Sequence, residues 1–195
     1  MKIECLKTIR FGYFFLSLFL VIALISGCGD REERTYKRGL SLAREKKYDQ
    51  AEVEIRRLIR LNPENARAHN ALGQIYRAQN LYTKAIEELT LSVEMSKTDP
   101  ELPYNLGCLY RDLENLPKAG EYYHQAIEID PEFSSALYRL GAIYVDQGDP
   151  RKAEKYFRDF LNSDPERPAP GHNNLGVLLW ADGRREQAIS EFKEA

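Results

Sequence analysis

Cysteine and histidine are scarce in this chain, three of each among 195 residues. His69, His124 and His172 stand far apart. No His-Glu-x-x-His run, paired-cysteine zinc spacing or glycine-rich phosphate loop occurs. A metal site is therefore not expected, and neither is a cofactor. Nucleophilic catalysis requires a base beside the nucleophile, and Cys108 has no histidine placed to activate it, so the sequence reads as non-enzymatic. Basic residues are also in short supply: 28 lysines and arginines face 30 acids, a net charge of −2, which argues against nucleic acid as a partner. The apolar run Phe11–Ile25 has fifteen residues, whereas a comfortable membrane span needs about 20.

What the chain has is a period. Gly39, Gly73, Gly107, Gly141 and Gly176 stand 34, 34, 34 and 35 residues apart. Each is followed twelve residues later by alanine (Ala51, Ala85, Ala119, Ala153, Ala188), and four further on by a large apolar residue (Ile55, Leu89, Tyr123, Phe157, Phe192). A fixed period of this size marks a repeat architecture. In the unit 100–133, Tyr104, Leu106, Gly107 and Tyr110 share one helical face, and Ala119, Tyr123, Ala126 and Ile127 share another. Glu114-Asn115-Leu116-Pro117 leaves room only for a tight turn, so the two helices pack antiparallel, and Asp130-Pro131 ends the second. A glycine inside a helix costs about 1 kcal/mol relative to alanine. Five at one phase imply an offsetting gain, close approach of the paired helices with Gly107 facing Ala119. One hairpin cannot bury both of its faces, so stacking of several is required.

This pattern resembles the tetratricopeptide repeat (TPR). The Leu-Gly pairs are Leu72-Gly73, Leu106-Gly107, Leu140-Gly141 and Leu175-Gly176. The tyrosine position holds Tyr76, Tyr110 and Tyr144, with Leu42 and Leu179 in the outer units. The closing prolines are Pro63, Pro131 and Pro165. Unit two departs with Lys97 and a delayed Pro100, and unit one has Arg38 in place of leucine. The resemblance implies an all-α, right-handed superhelical solenoid of five helix-turn-helix units: 32–65, 66–99, 100–133, 134–168 and an incomplete 169–195. In such arrays the first helices line a concave groove that takes a protein or peptide partner. Carried over position by position, the groove comprises Tyr36, Asn70, Gln74, Arg77, Tyr104, Asn105, Cys108, Arg111, Tyr138, Arg139, Asn173, Asn174 and Trp180, flanked by Arg67, Val145 and Val177. Tyrosine, tryptophan and arginine dominate binding hot spots. Arg77 and Arg111 have no evident internal partner and are expected to contact ligand, whereas Tyr36 and Tyr138 serve equally well as packing between first helices. The carboxylate clamp of chaperone-binding TPRs is matched only at Asn105 and Arg139, with Asn70 and Ser135 where lysines belong, so that clamp is not expected.

Lys2, Lys7 and Arg10 precede the apolar run, the layout of a secretory signal peptide. Ile25-Ser26-Gly27-Cys28 resembles the lipobox of bacterial lipoproteins, which implies cleavage after residue 27 and lipidation of Cys28. A plain transmembrane anchor or an unlipidated cleaved signal is the alternative, and the cysteine at the end of the apolar run weighs against both. Loss of residues 1–27 would move the charge from −2 to −4 by removing Lys2, Lys7, Arg10 and Glu4. It would also remove Cys5, leaving Cys108 as the one free thiol. Residues 28–31 form a tether of about 14 Å at full extension, holding the array against a membrane. Gly29 following the cysteine favours the outer membrane.

The combined expectation is a lipid-anchored TPR adaptor at the periplasmic face of a bacterial envelope. Its layout is similar to that of type IV pilus pilotins, which assist secretin assembly. Adaptors for murein hydrolases or outer-membrane protein assembly are the other reading. The last unit stops at Ala195, leaving Ile189 and Phe192 uncapped, which suggests self-association or a partner contact there.

Overall fold

The computed structural model describes residues 31–164, 166 and 168–195. The expected signal segment 1–27, the lipidation site Cys28 and the closing Pro165 lie outside the described residues. Among the described residues there are ten helices and no strands: α1 (31–44), α2 (Tyr48–Leu61), α3 (Ala66–Ala78), α4 (Tyr82–Met95), α5 (Glu101–Asp112), α6 (Leu116–Ile129), α7 (Ser134–Asp146), α8 (Pro150–Ser163), α9 (Ala169–Ala181) and α10 (Arg185–Glu194). They form two units, one ending at Pro63 and one spanning Glu64–Ala195. The first holds the hairpin α1–α2. Arg31, assigned to the tether from sequence, is already helical, and its carbonyl accepts a hydrogen bond from the Thr35 hydroxyl at 2.9 Å. The second unit holds four hairpins in sequence, each second helix packing against the first helix of the next. None of the described helices is long and apolar enough to cross a membrane.

Every hairpin turns in the same way. Lys46, Asn80, Glu114, Gly148 and Gly183 all have positive φ, between 58° and 79°. In each, the residue after this one donates its amide to the carbonyl five back: Lys47 to Leu42, Leu81 to Tyr76, Asn115 to Tyr110, Asp149 to Tyr144 and Arg184 to Leu179, all at 2.8–2.9 Å. The positive-φ residue itself donates three back, as Glu114 does to Arg111 at 2.9 Å. This pairing closes the last carbonyls of a helix around one left-handed residue. The turn is thus tighter than Glu114–Pro117, because α6 already begins at Leu116. Pro117 sits in its first turn, where a missing amide costs nothing. Asn115 and Asp149 then cap α6 and α8, accepting the amides of Lys118 at 3.2 Å and Lys152 at 3.1 Å.

The periodic glycines receive the large apolar residue of the second helix. A Cβ on Gly107 would lie 2.7 Å from the Tyr123 ring and 3.2 Å from the Ala119 carbonyl, and one on Gly141 would lie 2.6 Å from the Phe157 ring. Gly39 and Ile55, Gly73 and Leu89, and Gly176 and Phe192 repeat the arrangement. The close approach expected between Gly107 and Ala119 is therefore achieved by a side chain seated on the glycine, with the alanine, fully buried, beneath it. Burying a side chain of this size stabilises by about 1.5–3 kcal/mol, enough to offset the glycine.

Candidate partner-binding face

In the Glu64–Ala195 unit, the side chains expected to line the groove stand on α3, α5, α7 and α9. Much of that row is tied to itself. The Asn105 amide donates to Asn70 Oδ1 at 3.1 Å, and Asn70 is only 9 % exposed. Arg77 reaches Asp112 with Nε at 2.6 Å and Nη2 at 2.5 Å, and Arg111 Nη2 reaches the other oxygen at 3.0 Å. The expectation that both arginines stand without an internal partner is thus corrected, since Asp112 binds the two together. Burial would raise the Asp112 carboxyl, but the hydrogen bonds from Arg111 and Arg77 outweigh it and hold the group below its ordinary range. Gln74 Oε1 accepts from Arg77 at 3.3 Å, while its amide nitrogen is buried with no partner among the described residues.

Cys108 is also removed from the row. It is 5 % exposed and receives the Tyr123 hydroxyl at 3.5 Å, so it is a core residue beneath the face and presents no surface to a ligand. Tyr104 and Tyr138 are half-buried by the neighbouring rings. Tyr104 packs at 5.6 Å from Tyr123 and edge-on at 5.4 Å to Phe133, and Tyr138 packs at 5.3 Å from Phe160 and 6.0 Å from Phe157. The Tyr138 hydroxyl accepts from the Asn174 amide at 3.0 Å. Burial, followed by Cys108, pushes the Tyr104 phenol up, against a hydrogen bond from Arg139.

What stays open is narrower than the sequence row. Arg139 lies over the Tyr138 ring at 5.9 Å, and among the described residues no carboxylate pairs with it. It lines a cleft of about 230 Å³ with Tyr104, Ser134, Ser135, Tyr138, Phe160 and Asp164. A second hollow of similar volume runs between α7 and α9, lined by Ala142, Val145, Asn174, Val177 and Leu178, with Asp146 at its rim. Val145 is 47 % and Val177 56 % exposed, Trp180 is 51 % exposed beneath Arg185, and Asn173 is exposed beside them. Tyr36 lies on α1, in the first unit, half-buried.

Two histidines serve within hairpins and the third between them. His69 Nδ1 lies 2.6 Å from Glu88, and His172 Nδ1 lies 2.7 Å from Glu191, the same pairing in two repeats. His124 lies 3.2 Å from the Tyr144 hydroxyl. Sequence reasoning overlooked Ser134, Phe133 and Phe160, and it did not see Asp112 as the partner of Arg77. One signal was available for the last: the cross-ties Asn70–Asn105 and Arg77–Asp112 are each 35 residues apart, one repeat plus one position.

TPR models match residues 36–100 and 143–195, 104–133, and 122–155. Among solved structures, MamA is 24 % identical, with 80 % of this chain and 90 % of that one covered at a TM-score of 0.70. PilW, described as a widely conserved type IV pilus biogenesis factor, is 20 % identical over 84 % and 76 % at 0.69. YrrB, described as a TPR protein with an unusual peptide-binding site, is 21 % identical over 80 % of each at 0.63. At these identities the likeness is one of fold. No curated protein sequence matches the chain. Matched repeat by repeat along most of residues 36–195, and built of hairpins in a single phase, the chain belongs to the tetratricopeptide repeat family.

Proposed function

We propose that this chain is a non-catalytic adaptor that holds a protein or peptide partner on the face of α5, α7 and α9 while a lipidated Cys28 anchors it at the periplasmic side of a bacterial envelope. The observation that carries the docking half is the pair of hollows on this face, one lined by Arg139 and Asp164 among aromatic rings and one lined by exposed valines, with Asn174 of α9 tied to Tyr138 of α7 between the helices. A preformed, part-apolar face with a few placed polar groups is the usual form of a ligand site. The anchoring half rests on the basic start, apolar run and terminal Cys28 of the leader. With two or more acyl chains, attachment is effectively permanent, and Gly29 after the cysteine favours the outer membrane. Assistance to secretin assembly in a type IV pilus is the role that fits this layout best, supported by the likeness of fold to PilW.

Capture from detergent-solubilised membranes tests both halves. The wild-type chain is expected to retain a partner that Arg139→Glu and Val177→Asp lose, and mass spectrometry of that partner decides between a secretin, a murein hydrolase and an outer-membrane assembly factor. Partner capture unchanged in both variants removes the docking face. A Cys28→Ser chain that stays with the membrane fraction removes the anchor.

A further inference from the structure

His124 stands where the α5–α6 hairpin meets α7–α8. It packs half-buried on Tyr144 and Tyr156, which themselves pack against the core that joins α6 to α7. Its ring lies edge-on to both, at 6.4 Å from Tyr144 and 5.9 Å from Tyr156, and those two rings stack on each other at 5.4 Å. Nε2 is 3.2 Å from the Tyr144 hydroxyl. A neutral ring can accept the hydroxyl proton there, whereas an imidazolium has no lone pair and forces the hydroxyl to turn. Both tyrosines already carry a cation: Lys152 Nζ is 4.9 Å from the Tyr144 centroid, and Lys155 Nζ is 4.8 Å from that of Tyr156. A charge on His124 would be the third positive one in the cluster. Asp149 and Asp159 pair with the two lysines at 3.3 and 2.8 Å, which softens the repulsion and leaves lost hydration as the larger cost. Glu128, one turn further along α6, is the group that favours the charge. Among the described residues, α5 sets no charged group against the ring.

We infer that this cluster is an acid-sensitive joint: protonation of His124 loosens the packing of the α5–α6 hairpin on α7–α8. Burial pushes the imidazole below its ordinary value, helped by Lys152 and Lys155 and opposed by Glu128. A histidine depressed in this way contributes stability that is whole above its unfolded value of about 6.5 and is lost as pH falls through the folded one. Loosening therefore begins below about pH 6.5, well before the carboxylates of Asp112 and Glu154, which are held low, take up protons. On the adaptor reading, α5 and α7 carry the docking face on either side of this joint, so acid would slacken that face. The joint itself stands without that reading.

The test is amide hydrogen exchange of the full chain in detergent micelles at about pH 7.5 and about pH 5.5, on either side of the histidine range and corrected for intrinsic rates. The comparison is with His124→Gln, which keeps a hydrogen-bonding group but cannot titrate. His69 and His172 are common to both proteins, so the difference between them isolates His124. On acidification, α7 and α8 of the wild type are expected to lose about threefold more protection than those of His124→Gln. Glu128→Gln, at an exposed position on α6, should deepen the loss, and Lys155→Gln should lessen it. Far-ultraviolet circular dichroism matching the wild type at the higher pH establishes that each variant folds. Equal losses in the wild type and His124→Gln overturn the inference. So does a Glu128→Gln chain that responds to acid as the wild type does, which keeps the test decisive even if the His124 variant folds poorly.

Discussion

Tyr123 explains Gly107. The ring lies where a methyl group on the glycine would be, so the repeat keeps glycine there even though helix propensity disfavours it. Gly120, one helix on, is a different case: the nearest atom to an added Cβ is Ile143 Cδ1 at 4.0 Å. The two glycines therefore respond oppositely to alanine. Gly107→Ala should destabilise by about 1–2 kcal/mol, overpacking of a rigid ring outweighing the helical gain. Gly120→Ala should stabilise by about 0.5–1 kcal/mol. Urea midpoints of the two variants check the pair, and equal signs would show that the ring is not what excludes the side chain.

At the scale of the hairpin, the device that repeats is the left-handed turn residue. Gly148 and Gly183 occupy it at no steric cost, whereas Lys46, Asn80 and Glu114 occupy it with a Cβ. For an ordinary residue that backbone costs about 1–2 kcal/mol, partly offset by the smaller chain entropy that a non-glycine residue loses on folding. Glu114→Gly is thus expected to raise stability by about 0.5–1 kcal/mol, read as a higher urea midpoint at unchanged slope. The elements themselves were legible in the sequence because Gly, Ala and the large apolar residue recur at fixed intervals on two helical faces. The turn was placed too long because Pro117 looks like a turn residue, yet it suits the first turn of a helix equally well.

Along the 64–195 unit, hairpins are joined by packing and by charge. Glu154 on α8 accepts from Arg184 at 2.5 Å and from Arg158 at 2.9 Å. Arg158 reaches on to Glu191 on α10 at 3.8 Å, and Glu191 holds His172. Repeat arrays draw their cohesion from such nearest-neighbour interfaces, and their ends open most easily. Glu154→Gln should therefore speed amide hydrogen exchange in α9 and α10 by about fivefold to tenfold, the partial exposure of the pair keeping the effect modest, while α3–α6 exchange as before. Uniform acceleration across the unit would mean that it opens as a single body.

The sequence by itself determined that the chain is a row of helical hairpins, where glycine, alanine and the large apolar residue recur along it, and that the work of the fold is docking. Those features depend on spacing along one chain, and spacing is what a sequence states outright. Which polar side chains face a partner was decided only in three dimensions. Arg77, Arg111, Cys108 and Arg139 all stand on first helices, yet the first two close on Asp112, the third is buried under Tyr123 and the fourth pairs with no carboxylate among the described residues. The physical reason is that a charge on this face belongs to whichever neighbour lies within hydrogen-bond reach across the adjacent hairpin, and that distance is set by how the hairpins stack.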